Sequence, residues 1–115
     1  MQTFRTEINF IIDQHGESID SDFHLDIDAE SDAVIDLSIE RHGDELIVCQ
    51  YYLQRGDLMR DPEVTFRIEA DGSWTPVSYR LDPLNTYEYS TEGLPIDDML
   101  DMWAENLRAQ GFLDE

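Results

Sequence analysis

The sequence predicts an α+β fold, a mainly antiparallel sheet of about five to six strands with an N-terminal and a C-terminal helix. Three observations carry this expectation. The stretch DFHLDIDAESDAVIDLSIE, residues 22–40, alternates apolar and acidic residues with a period of two. Both ends of the chain space their apolar residues at helical intervals. Between them, RHGD, RGD and DG punctuate short apolar runs as turns. A length of 115 residues suits one domain, 1–115, with a single core.

In order, residues 3–14 place Phe4, Ile8, Ile11 and Ile12 on one helical stripe, with Thr3 as the expected N-cap and Gly16 as the stop. Residues 22–40 then read as a hairpin. Its odd positions, including Phe23, Leu25, Ile27, Ile35, Leu37 and Ile39, are apolar; its even positions include Asp22, Asp26, Asp28, Asp36 and Glu40. A three-residue loop pairing Ala29 with Ala33 sets Ile27 opposite Ile35, Asp26 opposite Asp36 and Asp22 opposite Glu40. Such like-charge pairs oppose the ladder by roughly 0.2 to 1 kcal/mol each. A third strand is expected over 45–53, broken by RGD at 55–57, and a fourth through Val64, Phe66 and Ile68. Asp71-Gly72 signals the next hairpin, with a strand over 74–80 that Pro76 marks as an edge or a bulge. A short strand follows over 86–90. The final helix has Pro95 near its first turn, Asp97 and Asp98 facing the helix dipole, and Ile96, Met99, Leu100, Trp103 and Leu107 on one stripe. Gly111 stops it, and Phe112 just beyond counts among the core aromatics unless it frays. Asp97, Asp101 and Glu105 stand four residues apart on its outer side, a second acidic row.

Composition narrows the chemistry. The formal net charge is −20, from 27 acids against seven bases, and every base is Arg. Without lysine there is no Schiff-base or Walker lysine. Residues 6–40 carry −11, residues 41–80 only −2, and residues 81–115 carry −8. A chain so acidic repels nucleic acid and anionic membranes, so its expected partners are basic proteins or cations. No apolar run is long enough to span a membrane and no signal peptide is evident, which places the expected site of action in the cytoplasm. The lone Cys49 sits in an apolar run and reads as a buried, inert thiol.

Motifs with chemical potential have plainer readings. DIDAESD, residues 26–32, resembles a calcium loop but lacks the Gly and the terminal Glu of one. DDMLD, residues 97–101, matches an aspartate-rich isoprenoid-synthase motif, yet the chain is too small to enclose that cavity. His15 and His42 adjoin glycines in turns, and His24 interrupts the acidic face; their spacing fits no zinc site. Asp57, Asp61 and Glu63 offer the one carboxylate set that suits metal-assisted or acid/base chemistry, although turn architecture explains them as well. No catalytic residue, metal or cofactor is expected.

The stretch QYYLQRGDLMRDPEVTFRI followed by GSWTPVSYRLDPL, about residues 46–84, resembles an uncharacterised domain family of plasmids, conjugative elements and phages. Its members share a Gln-x-Gly-Asp-Leu-Met-x-Asp-Pro-Glu core, with Asn expected where this chain has Arg55. The resemblance implies a mobile-element setting and an α+β fold, but no reaction. Setting and charge together lead to an expected function: an acidic inhibitor of a host nucleic-acid-binding defence complex, of the anti-CRISPR or anti-restriction type. It would occupy a basic site as a DNA mimic, through Asp22, Asp26, Asp28, Asp36 and Glu40 first and Asp97, Asp101 and Glu105 second. Pairing of the acidic face within a homodimer is a further arrangement. The rivals are adaptation to high salt, which 16 Asp against 11 Glu and the missing Lys also fit, and a small metal-dependent enzyme.

Overall fold

The structure, a computed structural model, describes residues 1–28 and 36–113. The elements run α1 (Gln2–Gln14), β1 (Phe23–Ile27), β2 (Asp36–His42), β3 (Glu45–Gln54), β4 (Asp57–Ile68), β5 (Trp74–Leu81), a 3₁₀ turn (Asp82–Leu84), β6 (Thr86–Tyr89) and α2 (Asp97–Ala109). The six strands form one antiparallel sheet in sequence order, β1 to β6. The α+β expectation holds.

Both helices pack on one face of this sheet. Phe4, Ile8, Ile11 and Ile12 of α1 and Leu100, Trp103 and Leu107 of α2 share a core with Phe23, Leu37, Ile39, Leu46, Val48, Val64 and Phe66. Strand alternation sends those residues inward and their neighbours to the opposite, helix-free face. An aromatic chain crosses the layers. Trp103 lies 5.1 Å from Phe4, Phe4 lies 5.7 Å from Phe66, and Phe66 lies 5.5 Å from Trp74, measured between ring centroids.

Helix ends differ from expectation at the start and agree at the stop. Thr3 lies inside α1, whose N-cap is Met1, and Pro95 precedes the Ile96 N-cap of α2; neither cap uses a side-chain hydrogen bond. The ammonium of Met1 instead bonds Asp101 on α2 at 2.8 Å. Both helices stop through a left-handed glycine, Gly16 and Gly111. The N–H of the following residue returns to the carbonyl five positions back, Glu17 to Ile12 and Phe112 to Leu107, each at 3.2 Å. Phe112 is thereby turned inward and is 6% exposed, so it does not fray.

The β1–β2 register differs from the expected one by two residues. Ile27 faces Leu37, Leu25 faces Ile39 and Phe23 faces Arg41. A slip of two preserves the parity of each face. It also dissolves the expected like-charge pairs, because Asp26 now faces Ser38 and Glu40 faces His24. The Ala29–Ala33 loop and the second half of the calcium-like stretch lie outside the described residues.

The Gly56–Glu63 signature is structural in three ways. Arg55 and Gly56 form the two-residue turn between Gln54 and Asp57, at φ of 53° and 86°. This left-handed pair is the geometry that Asn-Gly sequences favour. The strand then runs unbroken from Asp57 to Ile68, not from Val64 as expected. The register shifts between Cys49 and Tyr51, opposite the cis Asp61-Pro62 step, where a bulge tolerates the missing proline N–H. At that point Gln50, buried, accepts from Trp103 Nε1 and donates to Gln110 Oε1, both at 2.8 Å, and ties α2 to the sheet. Pro76 occupies a second shift, between Thr65 and Phe66 on the facing strand.

Replacing Gln50 with Leu leaves the buried indole N–H without its acceptor and lowers stability by about 1–3 kcal/mol in urea unfolding. Arg55→Asn raises stability by about 0.5–1 kcal/mol, because Asn adopts the left-handed conformation at lower cost.

Candidate functional site

The helix-free face can be read as rows across the sheet. One row runs His24, Glu40, Ile47, Thr65, Ser78, Tyr89; the next runs Asp26, Ser38, Cys49, Glu63, Arg80, Tyr87. A third places Asp36 beside Tyr51, and Tyr51 beside Arg60. Carboxylates therefore gather on β1 and β2, and guanidinium groups with exposed tyrosines on β4 to β6.

Asp26, Glu40 and Glu63 border a groove of about 280 Å³ floored by Ile47, Cys49 and Tyr51, with Ser38 and Arg60 completing it. The field of the carboxylates is felt at its centre. Burial first, then Asp26, Asp36 and Asp28, push the Tyr51 phenol above its ordinary value of 10.0. Cys49 lies on the floor, 6% exposed, and burial followed by Glu63 pushes its thiol up to about 12, so the thiolate is scarce at neutral pH.

The expected residues divide into three groups. Asp26, Asp36 and Glu40 stand together on the open face, with His24 3.4 Å from Asp26 and His42 3.0 Å from Glu40. Asp22 and Asp28 flank this strip. Asp22 accepts the Gly43 N–H at 3.0 Å, and Asp28, just past β1, also borders a cleft with Gln14, His15, Gln110 and Phe112. Asp97, Asp101 and Glu105 are exposed on α2, on the other side of the sheet, so the two acidic rows do not form one surface.

Most arginines are engaged outside the strip. Arg60 pairs with Asp82 at 3.1 Å, Arg67 with Glu69 at 2.6 Å and Arg108 with Glu7 at 3.0 Å. Arg5 lies over Trp74, Arg80 over Tyr87, and Arg41 donates to the carbonyls of Ile19 and Gly43. The Arg60 backbone N–H, with its guanidinium, holds Asp82 below the ordinary carboxylate range.

The carboxylates weighed for metal chemistry do not converge. Glu63 faces the open groove, whereas Asp61 borders the opposite side with Tyr79, Met99 and Trp103. Asp57 stands at the end of the β3–β4 turn. Among the described residues no group of three or more His, Cys, Asp or Glu is placed to hold a metal ion. Glu63 and Tyr51 instead join the acidic groove. Their membership follows from the β3–β4 register, which the bulge displaces and which periodicity alone does not reveal.

No helix among the described residues is long and apolar enough to cross a membrane. A family model described as "Domain of unknown function (DUF6908)" matches residues 6–113. No curated protein and no solved structure matches the chain.

The Tyr51 phenol titrates above pH 10 in an ultraviolet titration referenced to Tyr51→Phe, and Asp26→Asn or Asp36→Asn lowers its midpoint while Asp97→Asn does not. Because the native state holds this proton more tightly than the unfolded chain, the associated stability is complete below pH 10. It is lost as the pH rises through the folded-state value.

Proposed function

The chain belongs to the DUF6908 family, a domain of unknown function, and we propose from its surface that it is a non-catalytic inhibitor that binds a basic, nucleic-acid-binding protein. The observation that carries this reading is the clustering of Asp26, Asp36 and Glu40, joined by Glu63, on the sheet face that no helix covers. On β2, Asp36 and Glu40 are four residues and so roughly 13 Å apart, with Ser38 between them, and Asp26 faces Ser38 from the adjacent strand about 4.8 Å away. A duplex presents a phosphate per about 3.4 Å of axis on each strand. The strip thus offers a row of negative charge on a sheet face, as a duplex backbone does, to an Arg/Lys-lined groove. Attraction of this kind accelerates encounter and fixes orientation, and salt weakens it. The same charge repels nucleic acid itself, so occupation of the partner's groove is the mode of action.

The target class in this reading is a host defence complex of the CRISPR or restriction type, and the setting a plasmid, conjugative element or phage. The resemblance of residues 46–84 to a mobile-element family supports that setting. The signature itself serves the turn, the bulge and the α2 tie, which leaves the acidic strip as the surface for a partner.

A second reading draws on a different observation. Asp97, Asp98, Asp101 and Glu105 are exposed on α2, away from the strip, as expected if acids hold hydration over the whole surface in brine. A thermal melt separates the two, because a halophilic domain unfolds as salt is withdrawn and the inhibitor does not.

Pull-down from a bacterial lysate at low salt is expected to recover a basic nucleic-acid-binding protein. Asp26→Arg with Asp36→Arg weakens that complex by about a hundredfold, near 2.7 kcal/mol. Asp97→Arg with Glu105→Arg leaves it nearly unchanged. Affinity indifferent to salt, or equal losses from both pairs, contradicts the strip as the binding face.

A further inference from the structure

A second concavity lies on the helix-bearing side, away from the acidic strip, and its chemistry is different. Arg5 and Asn9 stand four residues apart on one side of α1. Arg41 reaches the same place from the end of β2, because its odd position points it to the helix side opposite Phe23. With Asp20, Trp74 and Glu69, whose carboxylate is held by Arg67, these residues line a cleft of about 300 Å³, closed at one end by the β4–β5 turn. Two of the seven arginines of a chain with net charge −20 are thus brought to one cleft.

The cleft is built and incompletely satisfied. Arg41 is anchored through Nε on the Gly43 carbonyl and through Nη1 on the Ile19 carbonyl, which leaves the N–H groups of Nη2 to other acceptors. Arg5 rests its guanidinium over the Trp74 ring at 5.6 Å, a contact that uses its π face and not its N–H donors. Beside them the Asn9 Oδ1 is buried without a hydrogen-bond donor. An orphaned buried acceptor costs about 1–3 kcal/mol, so an arriving donor gains there. The exposed Asp20 carboxylate at the rim adds a place for a positive group.

We infer that this cleft binds a small zwitterion of the α-amino acid class, its carboxylate held by Arg5 and Arg41 and its ammonium donated to Asn9 Oδ1 near Asp20. A simple anion satisfies the guanidinium groups but gives Asn9 nothing. A simple cation meets two arginines. Only a ligand carrying both an anionic group and a donor answers every feature, and a volume of about 300 Å³ is at the lower end for small-molecule sites. The site does not depend on the acidic strip, and either can fail alone.

Trp74 lines the cleft, so binding is read from its fluorescence in a Trp103→Phe background and checked by calorimetry with the full chain. The probes are a panel of free α-amino acids, with acetate and inorganic phosphate as anions and ethylamine as a cation. At least one amino acid is expected to bind saturably at millimolar concentration or below, and acetate, phosphate and ethylamine at least about tenfold more weakly. Asn9→Leu and Arg5→Gln each weaken binding by about tenfold or more while the thermal midpoint shows the domain folded. These two carry the test because Arg41 also holds the segment before β1. If no amino acid binds, if phosphate binds as well as the best amino acid, or if Asn9→Leu leaves affinity unchanged, the inference is overturned.

Discussion

The structure depends on both helices being packed against the same face of the sheet. The aromatic chain from Trp103 through Phe4 and Phe66 to Trp74 runs from α2 through α1 into β4 and β5, and it joins both helices and the sheet in one core. Each such ring removes a large apolar area from water and adds specific edge and face contacts. Once that side is filled, strand alternation leaves every second residue of six strands facing water. The charge of this face follows from the core, since residues that cannot enter the core are free to be carboxylates. Asp26, Asp36 and Glu40 occupy those positions on β1 and β2, and Arg60, Arg67 and Arg80 occupy them on β4 and β5.

The second constraint is the bulge that Asp61-Pro62 makes in β4 opposite Gln50. It sends Asp61 and Glu63 to different faces. Gln50 itself continues the buried side of Leu46 and Val48, where Trp103 and Gln110 complete its hydrogen bonds and tie α2 to the sheet. A segment whose acids suggest a reactive centre is therefore a structural joint, while one of those acids is contributed to the open groove. The contact of exposed Arg108 with buried Glu7 and the Met1–Asp101 contact join α1 to α2 beside it.

Much of this was legible in the sequence because the chain's periods are clean. The parity of residues 22–28 and 36–40, the glycine stops at Gly16 and Gly111, and the DG hairpin at 71–72 each express a local rule that the tertiary structure obeys. What was not legible depends on quantities that local rules do not contain. A two-residue slip of β1 on β2 leaves the apolar pattern unchanged, so the pattern could not distinguish paired carboxylates from the Asp26–Ser38 and His24–Glu40 neighbours that form. The fourth strand was expected only through Val64, Phe66 and Ile68 because the bulge at Asp61-Pro62 shows itself only in the pairing with β3. The sequence does not decide whether Phe112 frays, because its burial is set by the carbonyl of Leu107 and by packing across the domain. The assembly of Arg5, Asn9 and Arg41 joins residues 36 positions apart and had no sequence signal at all.

The claim on which the functional account rests is that negative potential is concentrated on the open face of β1 and β2. Paramagnetic relaxation of backbone amides by a cationic probe, compared with a neutral probe of the same size, measures that potential residue by residue. The account predicts the greatest excess for the cationic probe at residues 24–26 and 36–40, with little at Thr65 and Ser78 on the same face. An excess spread equally over those four strands, or absent from β1 and β2, would contradict it.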